Sequence, residues 1–313
     1  MLNELNRRSH RSVGIALLAG VLVAAGCGTD EDDIIVKKTP TPTTTPVVET
    51  AVSARTDTVA PTPTSPSEVT YEAAEAEFLA GRYGEAVVSF TRYTERIPDN
   101  PWGYYMLGLS AWKDGSLDIA ETAFERSLAL DPTHAKSRLN LTRVLLDASR
   151  PGEALTTVDS ALVLDPSSGD AYRLKGRACH ALGRIDEATT AYQRAIRLNP
   201  QDAWAMNNLA YLAIEEGRFE ASLPALARAV ELRPDVAVFW NNLGMALERT
   251  GHTRAAENAY ASAVNADPTN EKATANGVRI AAVREDPSIA PVDLPALARG
   301  FETEIEGWSV ASD

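Results

Sequence analysis

Six prolines spaced 34 residues apart constrain this chain more than any other feature: Pro98, Pro132, Pro166, Pro200, Pro234 and Pro268. Seventeen residues before each stands Gly81, Gly115, Ser149, Gly183, Gly217 or Gly251. Twelve before each stands Ala86, Ala120, Ala154, Ala188, Ser222 or Ala256. The period runs from Ser67 to Asn270 without an insertion, giving six in-phase units. Each unit reads as two helices. The mid-unit glycine closes helix A, because a left-handed residue costs glycine least. The proline ends helix B, because it cannot continue the hydrogen-bond ladder. Small residues at unit positions 8, 20 and 27 let the helices approach. Phe90, Phe124, Val158, Tyr192, Leu226 and Tyr260, all at position 24, fill the space so left.

The clearest unit contains Trp240-x-x-Leu243-Gly244-x-x-Leu247, then Ala256-x-x-x-Tyr260 and Pro268. This pattern resembles the tetratricopeptide repeat family. The resemblance implies an all-α chain: a right-handed α-solenoid of six tetratricopeptide repeats over 67–270, its A helices lining a concave groove. Three units depart from the pattern. Repeat 1 has Tyr93 where a small residue is usual, repeat 3 replaces the turn glycine by Ser149-Arg150-Pro151, and repeat 5 places Pro224 inside helix B. A further A-like helix from Glu271 to about Arg284 (segment 271–285) would cap the last repeat, as solenoids require. Positions 4, 7, 8 and 11 read as core, with no polar network in them.

The chain carries 30 basic and 43 acidic side chains, a net of −13, which argues against a nucleic-acid partner. Its two cysteines, Cys27 and Cys179, cannot make a disulfide framework or a complete zinc site. No metal or other cofactor is expected. Cys179 and His180 are neighbours, but adjacent residues diverge by about 100° on a helix. Cys179 therefore reads as core and His180 as facing the groove. No phosphate loop, paired-histidine motif or serine elbow is present, and the 43 residues after the sixth repeat are too few for a catalytic domain, usually ~50–250 residues. The chain does not read as an enzyme, and no small-molecule substrate is expected.

Arg7, Arg8 and Arg11 precede an uncharged apolar run, Val13 to Gly26, which is short for a membrane span and suited to a secretory signal over 1–26. The run ends Val23-Ala24-Ala25-Gly26-Cys27, which resembles a bacterial lipobox with Ala24 in place of the usual leucine. The resemblance implies cleavage before Cys27 and acyl chains such as palmitate on it. A plain cleaved signal peptide is the alternative. Several acyl chains would anchor the chain stably in a membrane. Gly28, where aspartate would mark inner-membrane retention in enteric bacteria, leans towards the outer membrane, facing the periplasm. The rest of 27–66 is Thr- and Pro-rich, as in Thr39-Pro40-Thr41-Pro42, and has no apolar period. It reads as a disordered tether or a glycosylated stalk, reaching ~100 Å if extended.

The helical period assigns positions 2, 5, 6, 9, 12 and 13 to the groove. Trp102, Tyr105, Trp112 and Trp204 then form an apolar wall, which either binds a partner or is covered by the superhelix. Arg143, Arg173, Arg177 and Tyr211 join them, the arginines forming a stripe that could meet an acidic peptide or only water. Asparagine recurs at position 6 as Asn140, Asn208, Asn242 and Asn276. A carboxamide can pair with a peptide N–H and C=O together. The set looks like the asparagine ladder of O-linked N-acetylglucosamine transferases, although asparagine is also a common default there. A carboxylate clamp matches less well, since Arg177 replaces an asparagine and Asn242 a basic residue. Asn208 and Asn242 are expected to point to solvent. The chain thus reads as a membrane-anchored interaction scaffold for proteins or peptides, or alternatively as a self-associating spacer of the envelope. In the tail, 286–313, Leu294, Leu297, Phe301, Ile305 and Trp308 share one helical face after an N-cap at Asp293. That stripe needs cover, either in the groove or on the last repeat as a second cap.

Overall fold

The computed structural model describes residues 69–310. The signal segment, Cys27 and the Thr/Pro-rich stretch lie outside them. Among the described residues there are fourteen α-helices and no strand. The A helices are α1 (Tyr71–Leu79), α3 (Pro101–Lys113), α5 (Ala135–Asp147), α7 (Gly169–Ala181), α9 (Ala203–Glu215) and α11 (Ala237–Arg249). The B helices are α2 (Tyr83–Arg96), α4 (Leu117–Leu130), α6 (Pro151–Leu164), α8 (Ile185–Leu198), α10 (Phe219–Leu232) and α12 (Thr253–Ala266). After them come α13 (Glu271–Ile280) and α14 (Leu294–Val310).

The turns follow the sequence pattern. Gly81, Gly115, Gly183, Gly217 and Gly251 all take positive φ between helix A and helix B. In repeat 3, Ser149 adopts the same left-handed conformation at φ 58°, and Pro151 sits in the first turn of α6, where a missing N–H does no harm. A non-glycine residue there costs about 1–2 kcal/mol. Five of the six A helices and α13 begin with a side-chain cap, as where Asp202 accepts the Ala205 N–H at 2.9 Å; α11, preceded by Val236, has none.

The small-against-large rule explains the tight A–B packing. A Cβ added at Gly108, Gly176 or Gly244 would come within 2.7, 2.4 or 2.7 Å of the ring of Phe124, Tyr192 or Tyr260. Repeat 1 solves its departure the same way one step on. Its bulky Tyr93 lies over Gly103, where a Cβ would meet it at 2.8 Å, and the Tyr93 hydroxyl accepts from Asn100. Helix α10 runs unbroken through Pro224, forgoing one ladder hydrogen bond.

Successive A helices touch one another, whereas successive B helices do not. The A helices therefore form the inner, shorter path of the solenoid and the B helices its outer surface. This crowding corrects the expected faces. Positions 3, 6 and 10 are buried between neighbouring repeats, as at Ala205, Asn208 and Leu212. Position 4 is only half-buried and opens outward, as at Tyr104 and Trp240. The apolar interior is divided into an amino-terminal cluster around Phe90, Phe124 and Leu145, a carboxy-terminal one around Met206, Leu226 and Phe239, and smaller clusters around Leu174 and Tyr192.

The end of the chain departs from expectation. Helix α13 stops at Ile280 rather than near Arg284, and the chain turns at 281–283. Helix α14 forms as its stripe predicts, with Asp293 accepting the Ala296 N–H at 2.9 Å. It enters neither the groove nor a second-cap position. It lies across the outer surface against α10 and the end of α8, burying Ala298, Phe301 and Ile305. The strap before it carries the chain back over α12, where Val292 and Leu294 line one cleft with Ala255 and Ala259. No described helix is long and apolar enough to cross a membrane.

Candidate functional site: the inner face

The residues predicted to bind line the A helices, but packing divides them into two groups. Tyr105, Asn140, Arg143, Arg173, Arg177, Asn208 and Asn242 are buried. Trp102, Trp112, Trp204, Tyr211 and Asn276 are part-exposed. Asn208 and Asn242 therefore do not point to solvent, being only 4% and 3% exposed.

The physical reason is a set of bonds between residues 35 apart, one step along the A-helix stack. Asn242 Nδ2 donates to Asn207 Oδ1 at 2.9 Å, and Asn207 Nδ2 passes the link to its neighbour Asn208 Oδ1 at 3.3 Å. Asn276 repeats the step, donating to Asn241 at 3.1 Å. Trp112 Nε1 donates to Asp147 at 2.8 Å, and His180 Nε2 lies 2.6 Å from Glu215. Asn242 and Asn276 thus join repeat to repeat, and Asn208 and Asn140 bond to neighbours within their own helices.

The basic stripe is likewise engaged. Arg173 bridges Asp202 at 3.0 Å and Asp170 at 2.9 Å. Arg143 donates to Asn140 at 2.8 Å, and Arg177 lies 3.7 Å from Asp147. The polar network therefore occupies positions that helical periodicity assigned to the groove, which stacking of the A helices has buried. An ion pair so enclosed must offset the desolvation of both partners, so removing one partner costs more than the pair itself contributes. At the last repeat, Glu248 takes the Arg279 guanidinium and the Tyr260 hydroxyl, and the arginine holds its carboxyl below the usual range.

At the other end Trp102, Tyr105 and His134 form an aromatic cluster, with His134 4.5 Å from Trp102 and Tyr105 5.5 Å from it. Lys136 lies over Trp102 at 5.8 Å. Burial pushes the Tyr105 hydroxyl up to about 12, against the opposing pull of Arg143. His134 caps α5 through Nδ1, which accepts the Ser137 N–H at 3.1 Å; burial lowers its pKa. His134 was missed in the sequence, although a polar residue just before helix A in every unit but one was a usable signal. Cys179 is buried, as its position implied, and burial pushes its thiol up. Among the described residues no group of His, Cys, Asp and Glu could hold a metal.

The described residues thus form a helical-repeat array whose A helices share one inner face. The chain belongs to the tetratricopeptide repeat family, whose model matches residues 105–168, 139–203 and 207–271, together just over half of the sequence. Such repeats typically mediate protein–protein interaction. No curated protein matches the chain. Among solved structures, it resembles a thermophilic tetratricopeptide protein of Thermus thermophilus at 20% identity, covering 59% of this chain and all of that one, with a TM-score of 0.52. The type IV pilus biogenesis factor PilW is similar at 20% identity, over 65% of this chain and 94% of that one, with a TM-score of 0.57. At these identities the likeness is one of fold.

Proposed function

We propose that this chain is a membrane-anchored interaction scaffold that binds extended peptide segments of envelope or secreted proteins along its inner face. The observation that carries the reading is the division of that face. Its asparagines and arginines are engaged within and between the stacked A helices, while Trp102, Trp112, Trp204 and Tyr211 keep part of their surface open. Aromatic side chains of this kind anchor peptides because they offer large area at small entropic cost. Asn276, half-buried at the edge of the ladder, supplies a polar contact at one end of the same path. Recognition is then mainly apolar, with the buried ladder holding the curvature. The anchor is Cys27 with its acyl chains, in the outer membrane facing the periplasm, and 27–66 is the tether.

A photo-crosslinking amino acid placed at Tyr211, in intact cells, tests the groove. Crosslinks to envelope or secreted proteins are the expected result. Crosslinks only between copies of the chain would favour a self-associating spacer. The anchor is tested separately by Cys27→Ser, which should release the chain from membranes. Retention of an unlipidated variant there would remove the anchor.

A further inference from the structure

The outer surface repeats as regularly as the inner one. Between the B helices of adjacent repeats runs a furrow, floored by helix A at positions 4 and 7 and walled by helix B at positions 18, 19, 22, 23 and 26. The chain's own tail occupies this surface at the carboxy-terminal end. In repeat 6, Trp240, Asn258 and Ala259 face the strap residues Val292 and Leu294. Over repeats 4 and 5, α14 spans the gap between α8 and α10. There its buried apolar stripe is secured by an ion pair from Arg228, at position 26, to Glu302 at 2.6 Å. Arg197 adds a hydrogen bond to the Trp308 carbonyl at 3.3 Å.

Among the described residues, nothing covers the same furrow in repeat 2. It is a cavity of 560 Å³ between α2 and α4, whose lining includes Thr91, Tyr104, Leu107, Ile119 and Arg126, with Asp118 as its one carboxylate. Arg126 stands at position 26, the place of Arg228, and is stacked 5.8 Å from the Tyr104 ring. Ile119 is 44% exposed, a large apolar side chain turned to water. The equivalent furrow of repeat 4 places Lys175 and Glu187 where repeat 2 has Leu107 and Ile119, and an ion pair from Lys175 to Asp159 crosses its edge. Repeat 2 therefore combines an apolar floor with the arginine that meets a carboxylate in the occupied site.

We infer that the repeat 2 furrow docks an acidic amphipathic helix of a partner protein, seated as α14 is seated between repeats 4 and 5. Its apolar stripe would lie on Tyr104, Leu107 and Ile119, and a carboxylate one turn along would pair with Arg126. The chain's own tail is not the occupant. Helix α14 already buries Phe301 and Ile305 in its own site, and leaving would expose them. This surface is independent of the inner face.

The test uses the full chain and, as probe, a fluorescent peptide of residues 290–310, whose stripe and acidic side chains have the required form. Fluorescence anisotropy should show saturable binding, weakened at least about tenfold by Ile119→Asp and by Arg126→Glu. Both side chains are exposed, so the melting temperature should not move. Arg194→Glu in repeat 4 should leave binding unchanged, and α14 should keep its amide protection when the probe is bound. Absence of binding overturns the proposal, as does binding indifferent to both repeat 2 variants. Loss of α14 protection would mean that the probe exchanges into the tail's own site and would equally overturn it. So would concentration-dependent dimerisation of the chain abolished by Ile119→Asp, which would make the furrow a contact between copies.

Discussion

Repeats 1 and 2 and repeats 5 and 6 share one architecture and differ in what covers them. At the amino-terminal end no described residue covers the outer furrow, and Ile119 and Val88 are exposed. At the carboxy-terminal end the strap and α14 close it, and Phe301 and Ile305 join the apolar cluster of repeats 4 to 6. The difference teaches that a tetratricopeptide module leaves apolar surface on its outer side even when its A–B packing is complete. That surface is available either to the chain itself or to another protein. Between the two ends lies a middle of smaller apolar clusters around Leu174 and Tyr192, supplemented by ion pairs from Arg173 to Asp202 and from Arg177 to Asp147.

The largest effect is expected from uncovering the closed end. Deleting residues 286–313 should remove amide protection from α8 and α10 while leaving α2 and α4 unchanged, because repeats are coupled mainly to their neighbours. Phe301→Ala should destabilise the carboxy-terminal half by about 3 kcal/mol, read by urea denaturation. Equal loss of protection in α2 and α4 would show that the two ends form one cooperative unit.

A smaller effect is expected where the repeats are linked. Asn242→Ala leaves buried Asn207 without the donor it accepts from, and should cost about 1–3 kcal/mol. Tyr211→Ala, on the part-exposed face, should change stability less than Asn242→Ala in the same denaturation series. The reverse order would mean that the asparagine ladder is not structural.

Packing within a repeat gives a matched pair. Gly108→Ala in repeat 2 and Gly244→Ala in repeat 6 drive a methyl against Phe124 and Tyr260 respectively. Each should cost about 1–3 kcal/mol. If the covered end is the stiffer, thermal denaturation should show the larger loss for Gly244→Ala, since α14 and its strap restrict relaxation there.

The smallest effect is one of pH and belongs to the amino-terminal half. His134 caps α5 as a neutral imidazole, and burial holds its pKa below the ordinary 6.5. As pH falls below 6.5 the unfolded chain takes up the proton first, so this contribution is complete above that value and lost beneath it. Melting curves of His134→Asn, which keeps a cap without the titration, should show a weaker decline over the same acid range. An identical decline would assign the acid sensitivity to other groups.

Much of this was legible in the sequence because it is local. Gly81 to Gly251, the prolines at 34-residue spacing and the position 24 aromatics specify two helices and their approach within one unit, and the α14 stripe with its Asp293 cap specifies a helix. The inner site was legible only as a list. Helical periodicity assigns a residue to a face, but whether that face meets water depends on the next helix of the stack. Asn208 and Asn242 share the groove register with Tyr211, yet the chain of bonds through Asn207 encloses the first two and leaves the third part-open. The seat of α14 was beyond reach for the same reason. A stripe states that cover is needed, and only the turn at 281–283, the width of the gap between α8 and α10, and the placement of Arg228 opposite Glu302 decide where it is found. The repeating unit, its number and its turns are encoded in contacts that lie within one period. The tertiary structure alone decided which polar groups are spent between repeats and which apolar surface stays open, because those outcomes depend on contacts spanning a full period or more.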